Sequence, residues 1–149
     1  MSEAGTAELT SGDIQALPLS QGLKSGALRR VAAIDIGTNS THLLVASVDP
    51  ALGTFSIIQA EKSTTRLGER DPDTGDLSAA AMERGFETLR RFLELANSHQ
   101  VEQVVTAATS AVREAPNGRD FLQSIKDELG IEVDLVSGPE EARLIYLGV

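Results

Sequence analysis

The sequence predicts an α/β domain built on a five-stranded mixed sheet, and three observations carry that expectation. Two apolar, β-branched runs at 31–36 and 43–48 flank the polar cluster Gly37-Thr38-Asn39-Ser40-Thr41, and another run follows at 54–63. Runs of this kind joined by turn residues read as an antiparallel meander. A long stretch at 79–98 then carries apolar residues at helical spacing. After it, strand-like and helix-like stretches alternate to Val149, the pattern of α/β crossovers onto the same sheet.

Residues 1–28 mix Ser, Gly, Ala and isolated acids without sustained periodicity, which predicts a mobile, disordered tail. The domain proper is expected over 29–149. Strands fall at about 30–36, 42–49 and 54–63, with Asp49-Pro50-Ala51-Leu52-Gly53 turning the second into the third. The stretch 66–76 is a loop, and Ser78 is an N-cap with Leu77 and Met82 placed as a hydrophobic staple. In the helix at 79–98, Met82, Phe86, Leu89, Leu93 and Ala96 define one apolar face. The strand at 101–108 is apolar or small from Val104 on, as expected of a strand covered on both faces. An irregular stretch at 109–116 leads to a helix at 118–129 with Phe121, Leu122, Ile125 and Leu129 inward and Gly130 at C′. A strand at 131–136 and a helix opened by Pro139 complete the chain. The order βββαβαβα is the ribonuclease H-like arrangement, a five-stranded mixed sheet with helices on both faces. The chain stops in or just after a helix, which suggests a piece of a longer protein.

Composition excludes several classes. Hydrophobic content of 41% and charged content of 23% over 149 residues describe one globular domain with a real core. No run approaches the length of a membrane span, and the first residues lack a signal-peptide pattern. Without cysteine there is no disulfide framework or thiol chemistry, which predicts a reducing, cytoplasmic location. A net charge of -9 argues against a nucleic-acid partner. It equally denies long-range attraction to any polyanion, so a phosphate site must rely on local amides, arginines and a metal.

The most informative stretch is the first turn. Asp35 stands near the end of a strand that is otherwise apolar, where an acid is unfavourable unless it has a partner such as a cation. Gly37 lets the backbone approach a ligand, and the amides of residues 37 to 40 can converge on an anion. Thr38, Asn39 and Ser40 add side-chain donors. The loop thus suits phosphate, with Asp35 holding a divalent cation through water. Equally, Gly-Thr-Asn-Ser can be only a good turn that Asp35 caps.

Two further segments carry chemistry. Thr109, Ser110 and Arg113 follow the end of the 101–108 strand, where ligands gather in open α/β sheets, and Arg113 can contact phosphate with two prongs. Alternatively Arg113 forms an ordinary ion pair with Glu114 or Asp120. In Ser137-Gly138-Pro139-Glu140-Glu141-Ala142-Arg143 the acids can simply complement a helix dipole, or one can be a general base that activates water. His42 and His99 lack a second ligand at metal spacing and are assigned no role.

Three segments together resemble the exopolyphosphatase / guanosine pentaphosphate phosphohydrolase family. They are Ile34-Asp35-Ile36-Gly37-Thr38-Asn39-Ser40, the stretch from Ala108 to Asn117, and the stretch from Ser137 to Tyr146. The resemblance runs from about Arg29 to Val149. It implies membership of the superfamily of acetate and sugar kinases, heat-shock chaperone ATPases and actin, in which two ribonuclease H-like domains enclose a phosphate-binding cleft. Carried over, residues Asp35 to Ser40 would form the first phosphate loop, with Asp35 beside Mg²⁺. Arg113 would grip the phosphate chain, and Glu141 would be the catalytic base. The family's second loop, of the Asp-Ile-Gly-Gly-Gly-Ser type, is absent, so the chain resembles the first domain and half of the cleft.

The expected activity is therefore hydrolysis of the terminal phosphoanhydride of inorganic polyphosphate, with guanosine pentaphosphate a further substrate. The partners implied are the substrate, a second domain of the same chain, and a second copy in a homodimer of the complete protein. The alternatives are a phosphate- or nucleotide-binding module without chemistry of its own, and a kinase-type domain of the same superfamily.

Overall fold

The computed structural model describes residues 27–147, without the side chains of Glu141 and of residues 144–147. The expected tail at 1–28 lies outside the described residues except for its last two. The elements run β1 (Arg29–Ile36), β2 (Ser40–Asp49), β3 (Thr54–Thr64), α1 (Ala79–Ser98), β4 (Gln103–Ala108), α2 (Ser110–Glu114), α3 (Gly118–Leu129), β5 (Asp134–Leu135) and α4 (Gly138–Leu147).

The strands form one sheet in the order β3-β2-β1-β4-β5. β1 pairs antiparallel with β2, and β2 with β3, across a register shift at Val45/Ala46. β4 runs parallel to β1 with Ile36 beside Ala108, and β5 parallel to β4. This is the mixed five-stranded, ribonuclease H-like sheet that the element order predicts.

Register sorts the side chains. Ala32, Ile34 and Ile36 share a face with Leu43, Val45, Val104 and Ala108, and all are buried beneath residues of α1 and α3. On the opposite face Ala33, Asp35 and His42 are exposed, and Leu44, Val105 and Ala107 are half-buried. Among the described residues, then, β4 is fully covered on one face only. The two-sided burial expected of it is corrected: Gly-free apolar runs of this length read alike whether one or both faces are packed.

The caps fall where the sequence places them. Ser78 Oγ accepts from the Ala81 amide at 3.1 Å and starts α1. Gly130, at a φ of 70°, ends α3 with its N–H on the Lys126 carbonyl. Of the apolar face expected of α1, Leu89 and Ala96 are buried, and Ala81, Gly85, Thr88 and Phe92 are buried beside them. Met82, Phe86 and Leu93 pack at the margin of the core, and Phe86 meets Phe121 of α3 edge-on at 5.5 Å. A Cβ on Gly85 would lie 3.1 Å from the Phe121 ring, so the small residue makes room for α3.

Two other boundaries differ. The stretch expected to be irregular at 109–116 contains α2, a single short helix that buries Ala111 and Val112. The strand expected at 131–136 pairs only through Asp134 and Leu135. Ile131, outside the paired residues, is fully buried in the core.

Candidate functional site

The β1–β2 turn is closed by the Gly37 N–H donating to the Ser40 carbonyl at 3.0 Å, leaving Thr38 and Asn39 at the tip. A Cβ on Gly37 would lie 2.7 Å from the Ser40 oxygen, so the turn needs glycine there. Closure also commits the Gly37 amide, so the four converging amides expected of residues 37 to 40 do not all remain. The Thr38 and Asn39 amides donate to no backbone carbonyl among the described residues. Their own carbonyls are held from behind, Thr38 by the Gly68 N–H at 2.8 Å and Asn39 by the Arg66 N–H at 3.0 Å. Ser40, half-buried, begins β2 opposite Thr64.

Asp35 stands one strand pair back, opposite His42 on β2 and beside Ala107 on β4. Its side chain is exposed on the open sheet face, so it does not bear the burial penalty that marked it in the sequence. No group of three or more His, Cys, Asp or Glu poised to hold a metal occurs among the described residues. A single exposed carboxylate such as Asp35 fits Mg²⁺, which keeps most of its waters and takes its remaining oxygens from substrate phosphates.

The parallel pairing of β1 with β4 brings the second segment to the same edge. The Thr109 N–H reaches the Ile36 carbonyl at 3.3 Å, and Ser110 Oγ lies 3.0 Å from Thr38 Oγ1. On the next turn of α2, Arg113 donates from Nη1 to the Val136 carbonyl at 2.6 Å, and its Nη2 lies 3.8 Å from Glu114. The Glu114 pair anticipated from sequence exists, but at the limit of an ion pair; the shorter bond ties Arg113 to the segment that opens α4. A Cβ on Gly138 would come within 3.9 Å of Nη2.

α4 begins with Ser137 Oγ accepting from the Glu140 amide at 3.2 Å. Pro139 lies in its first turn, and Glu140 is engaged by Arg143 at 3.1 Å. Glu141 belongs to this helix, and its side chain lies outside the described residues. Three segments separated along the chain thus adjoin at one end of the sheet. The Thr38–Ser110 contact and α2 itself were not legible beforehand, because five residues are too few to show a helical period. A groove of about 510 Å³ between α1 and α3 shares only Asn117 with those segments, and that amide is bonded to the Leu77 backbone.

Strand order, register and these adjoining loops define a ribonuclease H-like domain. The sequence profile of the Ppx/GppA phosphatase family matches residues 44–149. A crystal structure of the Aquifex aeolicus member of that family is similar, with 35% identity and a TM-score of 0.75, covering 83% of this chain and 40% of that one. An exopolyphosphatase from Cytophaga hutchinsonii is 34% identical with a TM-score of 0.75, covering 80% of this chain and 38% of that one. The chain belongs to the Ppx/GppA phosphatase family. It spans about two fifths of the length of these structures. The family match begins at Leu44, after the β1–β2 turn, whereas the structural matches extend further.

Proposed function

We propose that this chain is the first domain of an exopolyphosphatase, which removes the terminal phosphate of inorganic polyphosphate by attack of water. The observation that carries the reading is the meeting of the three segments, through Thr38–Ser110 at 3.0 Å and Arg113–Val136 at 2.6 Å. A terminal phosphate at this edge would face the Thr38 and Asn39 amides, the Thr38, Asn39 and Ser40 side chains and the Arg113 guanidinium. Gly37 would let it come close. Such groups stabilise charge on a transferring phosphoryl group. Glu141 would take a proton from water as its oxygen bonds to the terminal phosphorus. The bridging P–O bond would break, releasing orthophosphate and a chain shorter by one unit. Mg²⁺ near Asp35, when bound, would neutralise charge on the phosphate oxygens.

In this reading a second domain of the complete protein closes the cleft and excludes water. The test measures orthophosphate release from long-chain polyphosphate by the complete protein and by residues 1–149 alone. Release by the complete protein and little or none by the shorter chain is expected. Phosphate binding without release by the complete protein would instead make this a binding module, and comparable turnover by both would remove the half-site reading.

A further inference from the structure

We infer that Arg66 is a further contact for the phosphate chain, holding phosphates behind the one that reacts. The inference rests on the phosphoanhydride reading above. Its first support is the backbone. Arg66 has a φ of 50°, a left-handed conformation unfavourable for a residue with a Cβ. It is held there from both sides: Thr65 and Leu67 are fully buried, and Thr65 Oγ1 lies 3.0 Å from Thr41 Oγ1. The Arg66 N–H donates to the Asn39 carbonyl, and its carbonyl accepts from the Glu69 N–H, each at 3.0 Å. Glycine would fit this conformation at less cost, yet the position carries an exposed arginine fixed to the tip of the β1–β2 turn.

The second support is charge. Neighbouring arginines are engaged within the fold: Arg70 with the Ala111 and Gly75 carbonyls, Arg84 with Glu69 and the Thr65 carbonyl, Arg113 with Val136. The Arg66 guanidinium has no hydrogen bond or ion pair among the described residues. Glu69, the nearest acid along the chain, is already bound to Arg84 at 2.7 Å. In a chain of net charge -9, an unpaired cation locked beside an anion-binding turn is placed to take an anion from outside. Its planar fork suits phosphate.

Position selects which phosphate. Hydrogen bonds tie Arg113 of α2 to the α4 segment, Ser110 of α2 to Thr38, and the Arg66 amide to the neighbouring Asn39 carbonyl. In this succession Arg66 is the member furthest from α4, the helix that carries Glu141, so it is assigned to phosphates behind the reacting one. On this inference a long linear polyphosphate spans from the reacting position to Arg66, whereas tripolyphosphate, with two phosphates behind its terminus, falls short of it.

The test uses the complete enzyme with Arg66→Gly, which keeps the left-handed backbone, and Arg66→Lys, which keeps the charge. Orthophosphate release is followed against concentration for long-chain polyphosphate and for tripolyphosphate, alongside thermal melting. For Arg66→Gly we expect an unaltered or higher Tm, an unchanged kcat, and a KM for the long chain raised about tenfold, the scale of one screened charge-assisted contact. The tripolyphosphate KM should stay put, and Arg66→Lys should recover part of the loss. An unchanged long-chain KM, an equal rise on both substrates, a fall in kcat alone, or a lowered Tm would each overturn the inference while leaving the enzyme reading intact. Failure of the unmodified enzyme to release phosphate from either substrate would overturn that reading, and this one with it.

Discussion

Gly118→Ala should destabilise the domain, against the direction that helix propensity predicts. Gly118 opens α3 directly behind α2, and a Cβ there would lie 1.9 Å from the Val112 carbonyl oxygen and 3.0 Å from its carbon. Non-bonded carbons rest about 3.5–4.0 Å apart, so the two helices would have to separate by roughly 1 Å or more. Val112 cannot simply yield, because its side chain is 1% exposed within the core. Propensity alone would favour alanine by about 0.5–1 kcal/mol, whereas forced overpacking costs about 1–3 kcal/mol or more. The net expectation is a loss of about 1–2 kcal/mol, a fall in Tm of roughly 3–10 °C for a domain of this size. Thermal melting followed by circular dichroism reads it. The same displacement would carry Ser110 and Arg113, which share α2 with Val112, so phosphate binding by the complete protein should weaken in parallel. A Gly118→Ala protein as stable as the original, or more so, would refute the close approach.

In the complete protein, Glu141→Gln should lower polyphosphate hydrolysis by about 10²–10⁴ with binding retained, as loss of a general base does. Glu140→Gln is its control, since Glu140 pairs with Arg143 in the same helical turn; equal losses from both through lowered stability would return these acids to helix-capping duty. In the loop at 66–76, backbone N–H groups of Thr74 and then Asp73 donate to Asp71 and hold its pKa below the ordinary 3.8. A depressed carboxylate stabilises fully above 3.8 and loses that contribution as pH falls through its lowered folded-state value. Urea midpoints should therefore show Asp71→Asn less stable at neutral pH and the gap closing in acid; a constant gap would contradict the assignment.

Much of the fold was legible because its signals are local. Ser78, Gly130 and the β-branched apolar runs of β1 and β2 each act within a few residues, and they mark caps and strands correctly. The buried stripe of α1 was not legible in the same way. Leu89 and Ala96 of the expected face are buried, but Met82, Phe86 and Leu93 are only partly so, and Ala81, Gly85, Thr88 and Phe92 are buried in their place because the helix packs against both the sheet and α3. Hydrophobicity names which residues leave water; it does not say which neighbour each will meet. The stretch at 131–136 shows the same limit, since the apolar pattern promised a strand and Ile131 is buried in the core outside the paired residues.

The candidate site divides along the same line. Sequence alone determined its parts: a glycine-led turn after an acid, an arginine beyond a strand end, and a serine-capped helix start rich in glutamate. Each is written within ten residues or fewer. Tertiary structure decided that they adjoin, through the parallel register that sets Ile36 beside Ala108 and so sends the chain out of β1 and β4 at the same edge. It also decided that Asp35 is exposed and that the Gly37 amide is consumed by its own turn. Arg66 likewise owes its left-handed backbone to the Asn39 carbonyl, 27 positions earlier by residue number. Pairing between distant strands chooses such neighbours, and no short window of residues contains both partners of that choice.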